Sequence, residues 1–172
     1  MRSRASGLTL IEVMAALAVL AIGLLAGTST VIYASKFTST GMHVEQATTV
    51  AQSLMTTLLA VPYASSGSGN AAAPNTLFTN TTTANDADLI DSAHNFELAT
   101  LPANSFDHAD TELPANVLAM VGPSPAGGIT YQRYWNIAPI GTNGVVIAVI
   151  VRWHENNQWL RTVVVGTRYQ PQ

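Results

Sequence analysis

One segment limits the choice of folds more than any other. From Leu8 to Ile32 the chain is an apolar run broken by a single charge, Glu12, and from Val13 to Ser35 no charged residue occurs. A bilayer core about 30 Å thick is crossed by about 20 helical residues rising about 1.5 Å each. The run is long enough to span. Arg2 and Arg4 precede it and Lys36 follows, an arrangement that keeps the N-terminus cytoplasmic and sends the remainder outward. A cleaved secretory signal also begins with basic residues, but its apolar core is typically only about 7–15 residues and ends at a small-residue cleavage site. This run is longer, and no such site closes it. A plain membrane anchor accounts for the length but not for Glu12, because a carboxylate inside an apolar segment costs free energy and by default serves a function.

The residues around that carboxylate supply a reading. Gly7-Leu8-Thr9-Leu10-Ile11-Glu12-Val13, followed by Met14-Ala15-Ala16-Leu17-Ala18-Val19-Leu20-Ala21-Ile22-Gly23-Leu24-Leu25, resembles the prepilin cleavage and assembly motif. The resemblance implies that a prepilin peptidase cuts between Gly7 and Leu8, and that Leu8 becomes the N-methylated first residue. Leu8 stands where many of the family have Phe. Cleavage leaves an α-ammonium at Leu8 beside the apolar phase, where ammonium and carboxylate are each costly alone and tolerable when paired. Glu12 lies four residues away and can pair within its own chain. In the family it is held to meet the N-terminus of a neighbouring subunit instead, and the residues alone do not choose between the two. Gly23 and Gly27 inside the run suit close helix packing or, as filaments of the family imply, local unwinding.

Beyond the span, Val44, Ala47, Ala51, Leu54 and Leu58 recur at three- and four-residue spacing and predict an amphipathic helix stopped by Pro62. One long helix is therefore expected from about Leu8 to Leu59. Residues 62–128 predict a variable connector with short strands, at His94–Leu98 and Val117–Val121. The C-terminal part predicts an antiparallel meander: Ile129–Ile137, a turn at Thr142-Asn143-Gly144, then Val145–Trp153 and Trp159–Tyr169 around Asn156-Asn157. A two-residue Asn-Asn turn would set Arg152 opposite Arg161, an unfavourable pair; a longer or bulged turn would put Arg161 beside Trp153, and the residues alone do not choose between the two. Val145–Val151 is apolar on both faces and predicts a central strand. The fold class is α+β, a long N-terminal helix with a membrane-spanning first half and an amphipathic second half packed on a C-terminal antiparallel sheet. Its divisions are a leader (1–7), a membrane or filament-core helix (8–35), the amphipathic half of that helix (36–61), the connector (62–128) and the meander (129–172).

Charge and composition exclude several functions. No Lys or Arg occurs between Phe37 and Gln132, which hold Glu45, Asp86, Asp88, Asp91, Glu97, Asp107, Asp110 and Glu112; Arg133, Arg152, Arg161 and Arg168 follow, against Glu155 alone. Nucleic-acid binding by a broad basic face is not expected, since counterion release needs clustered cations. The acidic run reads as a solvated loop surface. Asn85–Asp91 resembles a calcium loop only faintly, lacking the turn glycine and the terminal glutamate, so no metal or cofactor is expected. The chain has no cysteine, which removes disulfides and thiol chemistry. Asp107-His108-Ala109-Asp110 is the one local acid–histidine cluster, without a nucleophile elbow or a zinc motif beside it. No enzyme is expected.

The pattern of N-terminal motif, helix, variable middle, and then Tyr131-Gln132-Arg133-Tyr134-Trp135-Asn136-Ile137 and Val149-Ile150-Val151-Arg152-Trp153-His154 is similar to PilV-type minor pilins and, more distantly, to a pseudopilin of type II secretion. The resemblance implies a subunit in or under the tip of a type IV pilus. Its expected partners are other minor and major pilins, the prepilin peptidase and an inner-membrane assembly platform. Its expected place is the inner membrane before assembly and the pilus at the cell surface afterwards. A type II secretion pseudopilin, or a pilus-borne adhesin or ligand-binding module, is the alternative.

Overall fold

A computed structural model describes residues 9–61, 76–81, 89–102, 104–121, 129–141 and 144–169. The chain divides into two compact units, Met1–Met42 and His43–Gln172. Helix α1 (Leu10–Ala60) contributes to both and stays helical through Gly23, Gly27 and Gly41. It ends two residues before Pro62, whose ring disfavours helical backbone in the residue ahead of it.

In the first unit every described residue up to Thr38 is exposed, so this stretch of α1 buries nothing of its own. Its hydroxyls are already satisfied: Thr28, Ser29 and Thr30 donate to the carbonyls of Leu24, Leu25 and Ala26 at 2.8, 2.9 and 3.1 Å. Internal satisfaction of this kind is what an apolar surrounding demands.

In the second unit α1 lays Ala47, Val50, Ala51, Leu54, Met55 and Leu58 on a sheet. Val44, expected in that stripe, is 42% exposed and stands outside it. The sheet has strands β1 (His108–Ala109), β2 (Gln132–Ile140), β3 (Gly144–Glu155) and β4 (Gln158–Tyr169) in that spatial order, all antiparallel. Pairing places Trp135, Val149 and Val164 in one row and Ile137, Ile147 and Gly166 in the next, on the face toward α1. Gly166 permits the close approach: a Cβ there would lie 2.9 Å from Met55 Sδ. The opposite face carries Tyr134, covered by connector residues Phe96 and Phe106 at ring separations of 5.3 and 4.6 Å. β3 is thus central and buried on both sides, as its unbroken apolar run predicts.

Three further expectations need correction. His94–Leu98 is not a strand but a 3₁₀ turn at Asn95–Glu97. The Asp91 carboxylate accepts the N–H groups of Asn95 (2.7 Å) and Phe96 (3.0 Å), donors that a strand would have offered to a ladder. Val117–Val121 is not a strand but part of helix α2 (Ala115–Val121). Pro114 starts it, its carbonyl accepting from the N–H groups of Val117 and Leu118 at 2.9 and 2.8 Å, the end of a helix where proline is tolerated.

The β3–β4 turn is the two-residue form, with Asn156 and Asn157 at φ 50° and 64°, and it does set Arg152 opposite Arg161. The two guanidinium groups part company. Arg152 donates to Gln132 Oε1 (2.7 Å) and the Leu98 carbonyl (3.1 Å) and covers the Trp159 ring at 4.0 Å. Arg161 pairs with Asp91 at 3.1 Å and donates to the Ile90 and Asp91 carbonyls. Finally, the acidic run is not all solvated surface, because Asp91 and Asp107 are buried.

Candidate functional site

The N-terminal segment is built from backbone chemistry first. Thr9 stands just ahead of α1, and its carbonyl accepts from the N–H groups of Glu12 (3.1 Å) and Val13 (3.2 Å). Glu12 reaches back: its Oε2 accepts the Thr9 backbone N–H at 2.8 Å and the Thr9 hydroxyl at 2.9 Å. The Glu12 N–H in turn approaches Thr9 Oγ1 at 3.4 Å. This is a reciprocal helix cap, satisfying donors that the first turn leaves without partners. The spacing Thr9-Leu10-Ile11-Glu12 is itself the signature of such a cap, and a reading that weighs only the charge of Glu12 passes over it. Downstream, α1 is long and apolar enough to cross a membrane by length and composition. Glu12 is accessible on the exposed start of α1, so a carboxylate is presented at the head of an apolar rod.

The acid–histidine cluster does different work. Asp107 Oδ2 accepts the backbone N–H of Ile137 (2.7 Å), Oδ1 accepts that of Thr81 (3.1 Å), and the Asp107 N–H donates to Asn136 Oδ1 (3.0 Å). The residue therefore stitches the connector to β2. His108 stacks on Trp135 with ring centres 5.2 Å apart. Its two ring nitrogens face Glu112 and the Thr79 carbonyl, each at 2.8 Å, which leaves neither to act as a base. Asp110 pairs with Arg133 at 3.3 Å. His43 lies 3.0 Å from Glu155, and His94 lies 2.7 Å from Glu97. Burial pushes the Arg152 guanidinium below its usual range, and burial with the nearby Glu155 charge pushes the Tyr131 hydroxyl up. That hydroxyl donates to Gln46 on α1 at 2.9 Å, so it too is structural. Among the described residues no group of three or more His, Cys, Asp or Glu is placed to hold a metal ion; Asp86 and Asp88 of the acidic loop lie outside them.

Residues 2–28 match the family described as the prokaryotic N-terminal methylation motif. The chain carries a prepilin-type N-terminus. The motif is that of type IV pilins and pseudopilins, and the long helix on a four-stranded antiparallel sheet is the matching α+β fold. Proteins of this class are non-enzymatic, and the motif implies processing by a prepilin peptidase, residence in the membrane and then assembly with other pilins at the surface. No curated protein and no solved structure is significantly similar to the chain. Gly7 and Leu8, the residues flanking the expected cut, lie outside the described residues.

Proposed function

We propose that the chain is a minor pilin of a type IV pilus, cut between Gly7 and Leu8, N-methylated at Leu8, and placed in or under the filament tip, where it helps to start assembly with other pilins. The observation that carries this reading is a prepilin motif running directly into an exposed apolar helix. A helix with no apolar partner of its own needs lipid first and neighbouring subunits later. In this reading residues 1–7 are the leader, 8–35 the membrane and filament-core helix, 36–61 its amphipathic continuation, 62–128 the connector and 129–172 the meander. On release of the leader, Glu12 exchanges its cap on Thr9 for the Leu8 ammonium of a neighbour.

N-terminal mass analysis of the protein from membranes tests the first step. The mature chain should begin at N-methylated Leu8, and Gly7→Leu should block the cut. A start beyond Leu25 would show an ordinary secretory signal instead. Co-purification from membranes separates the pilus from a secretion apparatus, since the captured partners should be pilins of a pilus and not components of a secretion machine.

A further inference from the structure

Beside the β3–β4 turn lies a groove of about 430 Å³ lined by Glu97, Ala99, Asn157, Gln158, Trp159 and Leu160. Its volume is within the roughly 300–1,000 Å³ usual for small-ligand sites. We propose that this groove binds a neutral saccharide, a recognition function separate from filament assembly.

The lining has the chemistry such a ligand needs. A sugar ring is apolar on its C–H faces and polar around its rim. Trp159 supplies an apolar indole. Asn157 and Gln158, both exposed, supply amides that can donate and accept at once, which matches hydroxyl groups. Ala99 and Leu160 complete the apolar wall. Among the described residues the one ionic group in the lining is Glu97, and its charge is answered by Arg161 at 3.4 Å, with the His94 ring 2.7 Å away. An anionic ligand would meet a carboxylate, and a cationic one would find that carboxylate already engaged. A neutral polyol loses least.

The indole wall is also held before any ligand arrives, which lowers the ordering cost of binding. Buried Arg152 lies 4.0 Å from the centre of the Trp159 ring and is itself held by Gln132 and the Leu98 carbonyl. His154 packs against the same indole at 5.1 Å. Asn156 and Asn157 hold the left-handed backbone of a tight turn, which presents Asn157 and Gln158 at a set angle. This also gives a role to the arrangement that opposes Arg152 and Arg161: one arginine supports the indole while the other neutralises the carboxylate.

The test uses the full-length protein in detergent and four neutral disaccharides (maltose, cellobiose, lactose and diacetylchitobiose), with glucuronic acid as the charged control. Ligand-observed NMR should show saturable binding of at least one neutral sugar and none of glucuronic acid. Trp159 emission should shift with it, since Trp135 and Trp153 are fully buried and respond little. Trp159→Phe and Gln158→Ala should each weaken binding by about tenfold, the effect of losing one good contact. Asn157→Gly, which keeps the turn, separates loss of the amide from misfolding and should weaken binding too. No saturable binding by any neutral sugar overturns the proposal. So does binding that all three variants leave unchanged, or equal binding of glucuronic acid.

Discussion

Two buried aspartates tie the connector to the sheet. Asp107 gathers donors from Thr81 and Ile137, and Asp91 gathers donors from Asn95 and Phe96 while pairing with Arg161. Removing one should cost far more than removing a solvated acid nearby. Asp107→Ala leaves the buried Ile137 N–H without its acceptor, a loss of roughly 1–3 kcal/mol, while the N–H of exposed Thr81 can turn to water. Asp110 is 30% exposed, and Asp110→Ala takes one partner from buried Arg133, a loss that should stay below that of Asp107→Ala because water reaches the carboxylate side of the pair. Chemical denaturation of the two variants measures the gap, and equal midpoints would show that Asp107 is not a clasp. Asp107 is not legible as buried from the sequence, because its donors come from residues 26 and 30 positions away; Asp91 has two local donors, Asn95 and Phe96, but its charge partner Arg161 is 70 positions away. At the other end of the chain, Glu12 has two separable duties. Glu12→Gln keeps an oxygen that can cap Thr9 but loses the charge proposed to meet a neighbour's ammonium; Thr9→Val keeps that charge and removes only the hydroxyl half of the cap, leaving the backbone N–H bond in place. If the charge matters in assembly, Glu12→Gln should be processed and inserted normally yet co-purify poorly with other pilins, while Thr9→Val should co-purify as the unaltered protein does. Equal co-purification of both variants at equal membrane level would leave Glu12 as a cap alone.

The elements that rest on periodicity were readable, and those that rest on a distant partner were not. The stripe Val44, Ala47, Ala51, Leu54 and Leu58 and the two-sided run Val145–Val151 report burial through their spacing, and all but exposed Val44 and half-buried Val146 are buried. His94–Leu98 and Val117–Val121 have strand-like composition, but the Asp91 carboxylate and Pro114 decide their backbone, and composition does not register such partners. The sequence alone does not decide the Asn156-Asn157 turn, for the converse reason. Opposed arginines look repulsive on paper, yet Trp159 and Asp91 draw them apart. The helix–sheet contact is close at Gly166, which lies under Met55. Gly166→Val should drive side-chain atoms into Met55 at a cost of about 1–3 kcal/mol, the usual range for overpacking. Met55→Ala in the same background should recover part of that loss, because it empties the space the new methyl groups need. Strict additivity of the two substitutions in a thermal-unfolding cycle would show that the strain lies elsewhere. Arg168 completes the same end of the helix: its guanidinium donates to the Leu58 carbonyl at 2.7 Å, supplying the cation that the last turn of α1 lacks in its own sequence.

At the scale of the chain, one helix belongs to two physical settings. Among the described residues, every buried apolar residue of the core lies at or beyond Ala47, while the apolar residues before Met42 are exposed. The second unit therefore has the means to fold without the first, since its amphipathic helix, central strand and covered outer face bury one another. The fragment 43–172 should be soluble without detergent and should unfold in a single cooperative step, whereas the full-length chain should require detergent because Leu10–Thr38 remains exposed. Leu54→Asp makes the test stringent. Leu54 is wholly buried between α1 and the sheet; truncation of such a residue to alanine costs about 2–5 kcal/mol, and a carboxylate adds the penalty of an unpaired buried charge. Against a total stability of about 5–15 kcal/mol for a domain, that change removes most or all of the folded state. Circular dichroism through a thermal ramp reads both results. A soluble fragment indifferent to Leu54→Asp would mean that the sheet holds its fold without the helix, and the long helix would then be only a tether rather than half of the core.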